Sequence, residues 1–295
     1  MRTDTPLQRI LFASDLSERA GQAAGRAARL ASEAGGQWEA LHVMPYVMPP
    51  VDSYVEVDRA DLEERMHQHA RDALREQVAA TGEDPDAIEL TVTTGTAADV
   101  IIAHMEERQC DLLVIGTHGR TTIGDRFLGS TVDRVIRHGH RPTLVVRETA
   151  SAPYGRVVVA TDFSELAADA FNRAITWFGA QRIHLVHVLD TGIYDQLSAA
   201  AAEEGALENH YRTEHAARVE SLAAFCRTNG VDPEALAGCE VISAYPAEGI
   251  LETTHRVEAD LIMLGTHGHN RVAEMLLGSV AMRVLHTAQR DVLLT

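Results

Sequence analysis

The sequence predicts an α/β protein made of two tandem domains, each a doubly wound five-stranded parallel sheet flanked by helices. The first observation is an internal repeat, in which segments of the first half recur about 147 residues later. The second is that short β-branched runs alternate with helical stretches in both halves. Strands that are apolar on both faces and separated by helices are typical of a parallel sheet covered on both sides.

The repeat spans nearly the whole chain, and its aligned segments are Arg9–Ser17 with Arg156–Ser164, Leu41–Val43 with Val186–Val188, and Leu112–Gly119 with Leu261–Gly268. A period of this length indicates a duplicated domain and not a solenoid. The boundary is expected near Glu148–Gly155, a stretch of small residues with a proline. We therefore divide the chain into domains at 1–150 and 151–295.

Five strands are predicted in each half. Those of the first half are Arg9–Ala13, Trp38–Val43, Ile88–Thr93, Leu112–Ile115 and Thr143–Val146. Those of the second half are Val157–Ala160, Ile183–Val188, Glu240–Ser243, Leu261–Leu264 and Val292–Leu294. Helices are predicted between the strands of the first half, at Ser17–Ala34, Arg59–Ala80, Ala97–Arg108 and Ser130–His138. Ser17 and Ser164 are expected to begin helices as N-caps.

Composition and charge exclude several classes of function. The formal charge of −17 would repel a phosphate backbone, which argues against general nucleic-acid binding. No apolar run approaches the roughly 20 residues that cross a bilayer, and the N-terminus carries no apolar signal core. The three cysteines, Cys110, Cys226 and Cys239, are scattered and suggest no disulfide or zinc framework. We therefore expect a cytoplasmic protein without a membrane partner.

The chain contains no lysine, so arginine accounts for all 26 of its lysine and arginine residues. This excludes the lysine-containing phosphate loop, the protein-kinase lysine and Schiff-base catalysis. Any phosphate bound here must be held by backbone N–H groups, Ser or Thr hydroxyls, Arg, His or a metal.

A glycine motif, Gly-x-x-Gly-x9-Gly-Ser, occurs twice in the same register of the repeat. Its residues are Gly116, Gly119, Gly129 and Ser130 in the first half and Gly265, Gly268, Gly278 and Ser279 in the second. Each copy follows a predicted strand and precedes a predicted helix. Such a loop directs backbone N–H groups and the positive end of the helix dipole at one point, which suits a phosphate.

Other polar residues are expected at the same edge of each sheet, because ligands in doubly wound folds lie beyond the carboxyl ends of the strands. Ser14, Asp15 and Val43 end the first two strands of the first half, and Thr161, Asp162 and Val188 end those of the second.

Together these features resemble the ATP-binding branch of the universal stress protein family, in its tandem two-domain form. The resemblance rests on the Asp after the first strand, the His-Val at the end of the second and the glycine motif after the fourth. It implies the strand order 3-2-1-4-5 in each half and ATP or ADP as the ligand, with Mg²⁺ as a candidate companion.

The resemblance also implies contacts for individual residues. The Asp contacts the adenosine end, the backbone of the Val pairs with adenine, the first glycines line the ribose and phosphates, and the last Gly-Ser with the next residue binds phosphate. The residues concerned are Asp15, Val43, Gly116, Gly119, Gly129, Ser130 and Thr131 in the first half, and Asp162, Val188, Gly265, Gly268, Gly278, Ser279 and Val280 in the second. Three residues inside or next to the motifs, His118, Arg120 and His267, are candidate phosphate contacts.

Structural alternatives stand beside these roles. Gly116 and Gly265 could be strand-end turn residues that need a positive φ. Ser130 and Ser279 could be simple N-caps of the following helices. Asp15 and Asp162 could bond to loop N–H groups, and His118, His267 and Arg120 could be solvated loop residues. His42 and His187, in buried strands, are interpreted as core residues whose ring nitrogens find local partners.

Three functions are compatible with the sequence. The first is a nucleotide-binding stress or regulatory protein whose bound ATP or ADP sets its conformation or its choice of protein partner. The second is an ATPase or adenylyl-transfer enzyme, and the third a scaffold that keeps the fold without the ligand. The glycines argue against the scaffold, and the lack of lysine and of an obvious base argues against fast catalysis. We therefore favour the regulatory protein, with slow Mg²⁺-dependent ATP hydrolysis as the alternative.

The two halves are expected to pair with pseudo-two-fold symmetry through their fifth strands, since a duplicated domain keeps its ancestor's self-complementary surface. Further association into a homodimer is compatible with the sequence, which gives no firm reason for it.

Overall fold

The structure, a computed structural model, describes residues 6–46, 59–117, 129–149, 152–192, 204–266 and 277–295. The chain forms two compact units, and the boundary between them in the sequence falls between Pro153 and Tyr154. Both are α/β, as the sequence predicts.

The first unit is a five-stranded parallel sheet in the order β3-β2-β1-β4-β5. Its strands are β1 Arg9–Ser14, β2 Gln37–Met44, β3 Glu89–Thr94, β4 Leu112–Gly116 and β5 Thr143–Val146. Its helices are α1 Glu18–Ala34, α2 Arg59–Ala79, α3 Ala97–Glu107 and α4 Ser130–His138. Helices α1 and α2 contact each other, as do α3 and α4, so each pair forms one layer against the sheet.

The second unit repeats this plan, with the order β8-β7-β6-β9-β10 and every pairing parallel. Its strands are β6 Val157–Ala160, β7 Ile183–Asp190, β8 Gly238–Ala244, β9 Leu261–Leu264 and β10 Asp291–Leu294. Its helices are α5 Glu165–Phe178, α6 Glu204–Thr228, α7 Pro246–Arg256 and α8 Ser279–Thr287. The order is 3-2-1-4-5 in each unit, which confirms the fold class.

The central strand of each unit is buried on both faces. Ile10, Leu11 and Phe12 of β1 are completely buried, and so are the three valines of β6, 157–159. Consecutive side chains of a strand point to opposite faces, so both faces of each sheet must be covered by helices. This burial is the structural reason for the continuous apolar runs.

The loops that enter the central strands are fixed in the same way in both units. One carboxylate oxygen of Asp111 accepts the N–H groups of Gln8 and Arg9, both at 2.9 Å. Asp260 accepts the N–H groups of Gly155 and Arg156 at 2.7 and 3.1 Å. The internal repeat therefore extends to individual hydrogen bonds.

Residue Tyr154 lies inside the stretch expected to be a linker, but it belongs to the core of the second unit. Its ring is 1% exposed and packs edge-on against Phe178, with ring centroids 5.8 Å apart. Its hydroxyl donates to the buried carboxylate of Asp291 at 2.5 Å. Strand β10 begins at Asp291, one residue earlier than predicted.

Candidate functional site

The loop after the central strand has an unusual backbone that is repeated in the two units. Leu16 has φ of 62° and Phe163, at the equivalent position, has φ of 67°. Left-handed backbone is uncommon for bulky residues, so surrounding bonds must hold it. The N–H of Leu16 donates to the hydroxyl of Ser14 at 2.9 Å, and that of Phe163 donates to the hydroxyl of Thr161 at 3.0 Å.

The aspartate of this loop uses one of its oxygens to shape the turn. Asp15 Oδ1 accepts the N–H of Ser17 at 3.0 Å, and Asp162 Oδ1 accepts that of Ser164 at 3.0 Å. The two serines cap α1 and α5, as predicted, with each hydroxyl accepting an N–H three residues ahead at 3.2 Å. The loop-bonding alternative for the aspartates is therefore correct for one oxygen of each.

The second oxygen of Asp15 plays no part in this turn. Asp15 Oδ2 is buried and has no hydrogen-bond partner among the described residues. A buried carboxylate oxygen without a partner is costly, and such groups are rare in folded proteins. A donor from a bound molecule, such as a sugar hydroxyl, would satisfy it.

Helix α2 supplies a residue that the sequence analysis did not single out. The hydroxyl of Ser14 donates to Gln77 Oε1 at 2.5 Å, and Gln77 Nε2 donates to the carbonyl of Ser17 at 2.7 Å. Gln77 thus joins the two ends of the loop that carries Asp15. No local sequence signal could have identified this contact, because it joins positions 63 residues apart.

Strand β2 directs one backbone carbonyl toward the site. Met44 accepts the N–H of Gly95 on the β3 side, and successive residues of an inner parallel strand bond alternately to its two neighbours. Val43 therefore directs its carbonyl to the β1 side, where β1 ends at Ser14. If the hydrogen-bond ladder between β1 and β2 were longer, the N–H of Leu16 would donate to the carbonyl of Val43. This N–H donates instead to the hydroxyl of Ser14.

The histidines next to these valines are structural. His42 Nδ1 lies 2.8 Å from the carbonyl of Ser14, and His187 Nδ1 lies 2.8 Å from that of Thr161. Both fit the interpretation as locally bonded residues. Burial lowers the pKa of His187, against the opposing effect of its bond to Thr161.

The N-terminus of α4 is capped by a glycine and not by the serine of the motif. Gly129 is the N-cap, with φ of −63° and ψ of 144°, and as a glycine it offers no side chain to cap the helix. Gly278 holds the same position in α8, with φ of −57° and ψ of 146°. The interpretation of Ser130 and Ser279 as N-caps is therefore wrong, since each is the first residue of its helix. The first N–H groups of a helix whose N-cap is glycine have no bond from a capping side chain at that position, and such groups can bind an anion.

The alternative role of Gly116 as a turn glycine is also wrong, because its φ lies outside the left-handed region. A Cβ on Gly116 would lie 3.5 Å from the carbonyl oxygen of Arg19, an ordinary van der Waals contact. Neither strain nor crowding from the described residues therefore requires glycine at this position.

One cavity of about 440 Å³ lies in the first unit. It is bordered by all seven of the predicted site residues of the first half that the structure describes. They are Ser14, Asp15, Val43, Gly116, Gly129, Ser130 and Thr131. Apolar side chains complete the wall, among them Leu41, Ile101 and Ile115. Small-molecule sites commonly enclose about 300–1,000 Å³ and combine apolar walls with a few polar groups.

The corresponding residues of the second unit lie at or near the ends of the equivalent strands, Val188 two residues before the end of β7, and at the start of α8. They are Thr161, Asp162, Val188, Gly265, Gly278, Ser279 and Val280. One difference concerns the loop, where the Phe163 ring lies 4.3 Å from the His187 ring, centroid to centroid, and 5.9 Å from the Phe225 ring. Leu16 holds the position of Phe163 in the first unit.

Five predicted site residues, His118, Gly119, Arg120, His267 and Gly268, lie outside the described residues. In the part of the chain that the structure describes, no three His, Cys, Asp or Glu side chains are grouped to hold a metal. No helix in that part has the length and apolar character needed to cross a membrane.

A sequence model of the Universal stress protein family matches residues 6–147 and again residues 153–295. The chain belongs to this family. It has the tandem two-domain form, because the two matches cover successive halves.

Individual members of the family match over part or all of the chain. A universal stress protein of Methanocaldococcus jannaschii is 28% identical over 144 residues, which are 48% of this chain and 82% of that protein. A universal stress protein of Mycobacterium bovis is 30% identical over 195 residues, 63% of this chain and 59% of that protein. The crystal structure of a universal stress protein from Archaeoglobus fulgidus covers 98% of both chains with a TM-score of 0.62 at 19% identity, which supports the tandem fold.

Proposed function

We propose that this universal stress protein binds an adenine nucleotide, ATP or ADP, and that nucleotide occupancy sets its conformation or its choice of protein partner. The observation that carries the proposal is the cavity of the first unit. Three groups border this one space: a buried carboxylate oxygen without a partner among the described residues, a strand carbonyl directed inward, and a helix N-terminus whose glycine N-cap has no side chain to bond it.

Each of these groups matches one part of a nucleotide. The carbonyl of Val43 would accept the exocyclic amino group of adenine, between the side chains of Leu41 and Ile101. Asp15 Oδ2 would accept a ribose hydroxyl. The N–H groups and hydroxyls of Ser130 and Thr131 would bind phosphate at the positive end of α4. The second unit would bind a second nucleotide through Asp162, Val188 and Ser279.

A regulatory role fits the chemistry of these groups better than rapid catalysis. Neutral backbone donors bind the ground state and the transition state of phosphate transfer about equally, and uniform binding does not lower the chemical barrier. The chain has no lysine to neutralise charge on a transferred phosphoryl group.

Slow Mg²⁺-dependent ATP hydrolysis is the alternative function, and the unpartnered oxygen of Asp15 favours it. A carboxylate oxygen can hold Mg²⁺ or orient water, so Asp15 and Asp162 would be the residues that hold the ion. Phosphate release by the pure protein with Mg-ATP separates the two functions. We expect no more phosphate than a protein-free control releases. Slow Mg²⁺-dependent release that is lost in Asp15→Ala would establish the alternative, and a rate of about 1–1,000 per second would establish an ordinary ATPase.

Nucleotide binding itself is tested by thermal melts of nucleotide-stripped protein. A ligand that binds only the native state adds about 2.7 kcal/mol of stability at a hundredfold excess over its Kd. We expect ATP or ADP to raise the melting temperature, whereas GTP at the same concentration serves as the control for adenine recognition. No shift with ATP, ADP or AMP would refute the proposal.

A further inference from the structure

Two cysteines that lie 13 residues apart, on different elements, approach each other in the second unit. Cys226 lies in the last turn of α6 and Cys239 is the second residue of β8. Their sulfur atoms are 3.9 Å apart. Cys226 is completely buried, whereas Cys239 is partly exposed. The pair therefore joins one residue that solvent partly reaches and one that it does not.

The first unit shows which residues suffice for packing at these two positions. Val78 precedes Gly82 by four residues, as Cys226 precedes Gly230, and both glycines have positive φ. Leu90 pairs with Ala40 in the sheet at the register where Cys239 pairs with Leu185. The equivalent positions thus carry valine and leucine, so the contact of this helix with this strand does not require sulfur.

We infer that Cys226 and Cys239 form a reversible disulfide bond that joins α6 to β8 in response to a peroxide or a small-molecule disulfide. The inference does not depend on nucleotide binding. A disulfide requires the sulfurs at about 2.05 Å, so side-chain rotation must bring them about 1.9 Å closer.

The two thiols differ in acidity in the direction that this reaction needs. Either sulfur can be the donor at this distance; when Cys226 donates, its S–H stabilises the Cys239 thiolate and lowers the pKa of Cys239, against the opposing effect of burial. The same bond and burial raise the pKa of Cys226. Because the thiolate is the reactive form and Cys239 is partly exposed, Cys239 is the sulfur that meets the oxidant.

With hydrogen peroxide the reaction balances in two steps. The Cys239 thiolate attacks one oxygen of the peroxide, the O–O bond breaks, and Cys239 sulfenic acid and hydroxide form. The sulfur of Cys226 then attacks the sulfenic sulfur and displaces hydroxide, which takes up the Cys226 proton as water. In total, two thiols and one peroxide give one disulfide and two molecules of water. A thiol reductant reverses the result by exchange.

The third cysteine provides an internal control. Cys110, in the first unit, is completely buried, and burial together with its hydrogen bond to Glu39 raises its pKa to about 12. Its S–H donates to Glu39 Oε1 at 3.2 Å. It is therefore expected to remain a free thiol under conditions that oxidise the pair.

The experiment counts thiols in the full chain. Reduced protein is treated with a small excess of hydrogen peroxide, quenched, unfolded and labelled with a maleimide, and its mass is measured. We expect three labels before oxidation, one afterwards on Cys110, and three again after dithiothreitol. A linked peptide pair containing Cys226 and Cys239 identifies the bond.

Two variants separate the disulfide from a packing role. The double variant Cys226→Val with Cys239→Leu carries the residues of the first unit, and it should fold and show one label before and after oxidation. The single variant Cys226→Val should leave a sulfenic acid on Cys239 that dimedone traps. Three labels after oxidation, overoxidised Cys239 without a linked peptide, or a bond between two chains would overturn the inference.

Discussion

One oxygen of Asp15 accepts the backbone N–H of Ser17 at 3.0 Å, while its other oxygen is buried and finds no partner in the part of the chain that the structure describes. The side chain therefore both shapes the loop and offers an acceptor to the cavity. The two roles can be separated, because asparagine keeps an oxygen for Ser17 but presents an amide N–H₂ where the free oxygen lies.

The Asp15→Asn substitution should weaken nucleotide binding in the first unit about 10- to 100-fold, the worth of one hydrogen bond to a charged group. The melting temperature without ligand should change little, since the bond to Ser17 is kept. Calorimetric titration with ATP measures the affinity, and Asp162→Asn is the matched control for the second unit. Unchanged affinity of the first unit in Asp15→Asn would exclude the carboxylate from the site.

A Gly129→Val substitution should abolish binding in the first unit without unfolding it. The backbone of Gly129, at φ of −63° and ψ of 144°, is open to any residue, so valine introduces bulk at the helix start without strain. Gly278→Val tests the second unit in the same way. Circular dichroism melts verify the fold, and equilibrium dialysis with labelled ATP measures binding. If the double variant binds ATP as the parent does, phosphate does not lie at these helix starts.

The Gln77→Ala substitution should lower the free energy of unfolding by about 1–2 kcal/mol, because two part-buried hydrogen bonds are lost. It should also weaken nucleotide binding, since Gln77 holds the loop of Asp15. Gln68→Ala is the control on the same helix, because the hydrogen bond of Gln68 within the described residues goes to an exposed neighbour, Asp72. Urea unfolding of the three proteins provides the comparison. Equal effects of both substitutions would refute the anchoring role.

The pKa of His187, lowered by burial, predicts a dependence of stability on pH. Below pH 6.5, the ordinary pKa of histidine, His187 is protonated in the unfolded chain but still neutral in the folded chain. The native state therefore loses stability as pH falls. The loss continues until the native pKa is reached, at most about 1.4 kcal/mol per pH unit. In His187→Asn this contribution should vanish, while the amide can still donate to Thr161. Parallel stability curves of parent and variant between pH 7 and pH 5 would contradict the assignment.

Much of the fold could be predicted because the signals are local and repeated. The buried runs of β1 and β6, and the serines that cap α1 and α5, follow directly from hydrophobicity and capping chemistry. The sequence could not show that Gly129 and not Ser130 is the N-cap of α4, because glycine and serine are both common N-cap residues.

The features that were missed depend on tertiary contacts. The left-handed backbone of Leu16 has no sequence signature, since leucine does not favour it. Gln77 reaches Ser14 only after α2 packs beside α1. Cys226 and Cys239 are on different elements, and their spacing alone suggested no bond. Each becomes visible only when helices and strands are placed together.

The central claim is that the cavity beside Asp15 binds an adenine nucleotide, and calorimetric titration of ATP into nucleotide-stripped Gly278→Val protein tests it most directly. With the second helix start obstructed, we predict saturable binding of one ATP per chain, which disappears when Gly129→Val is added. Absence of binding at millimolar ATP and ADP, or binding that the added Gly129→Val leaves intact, would contradict the claim.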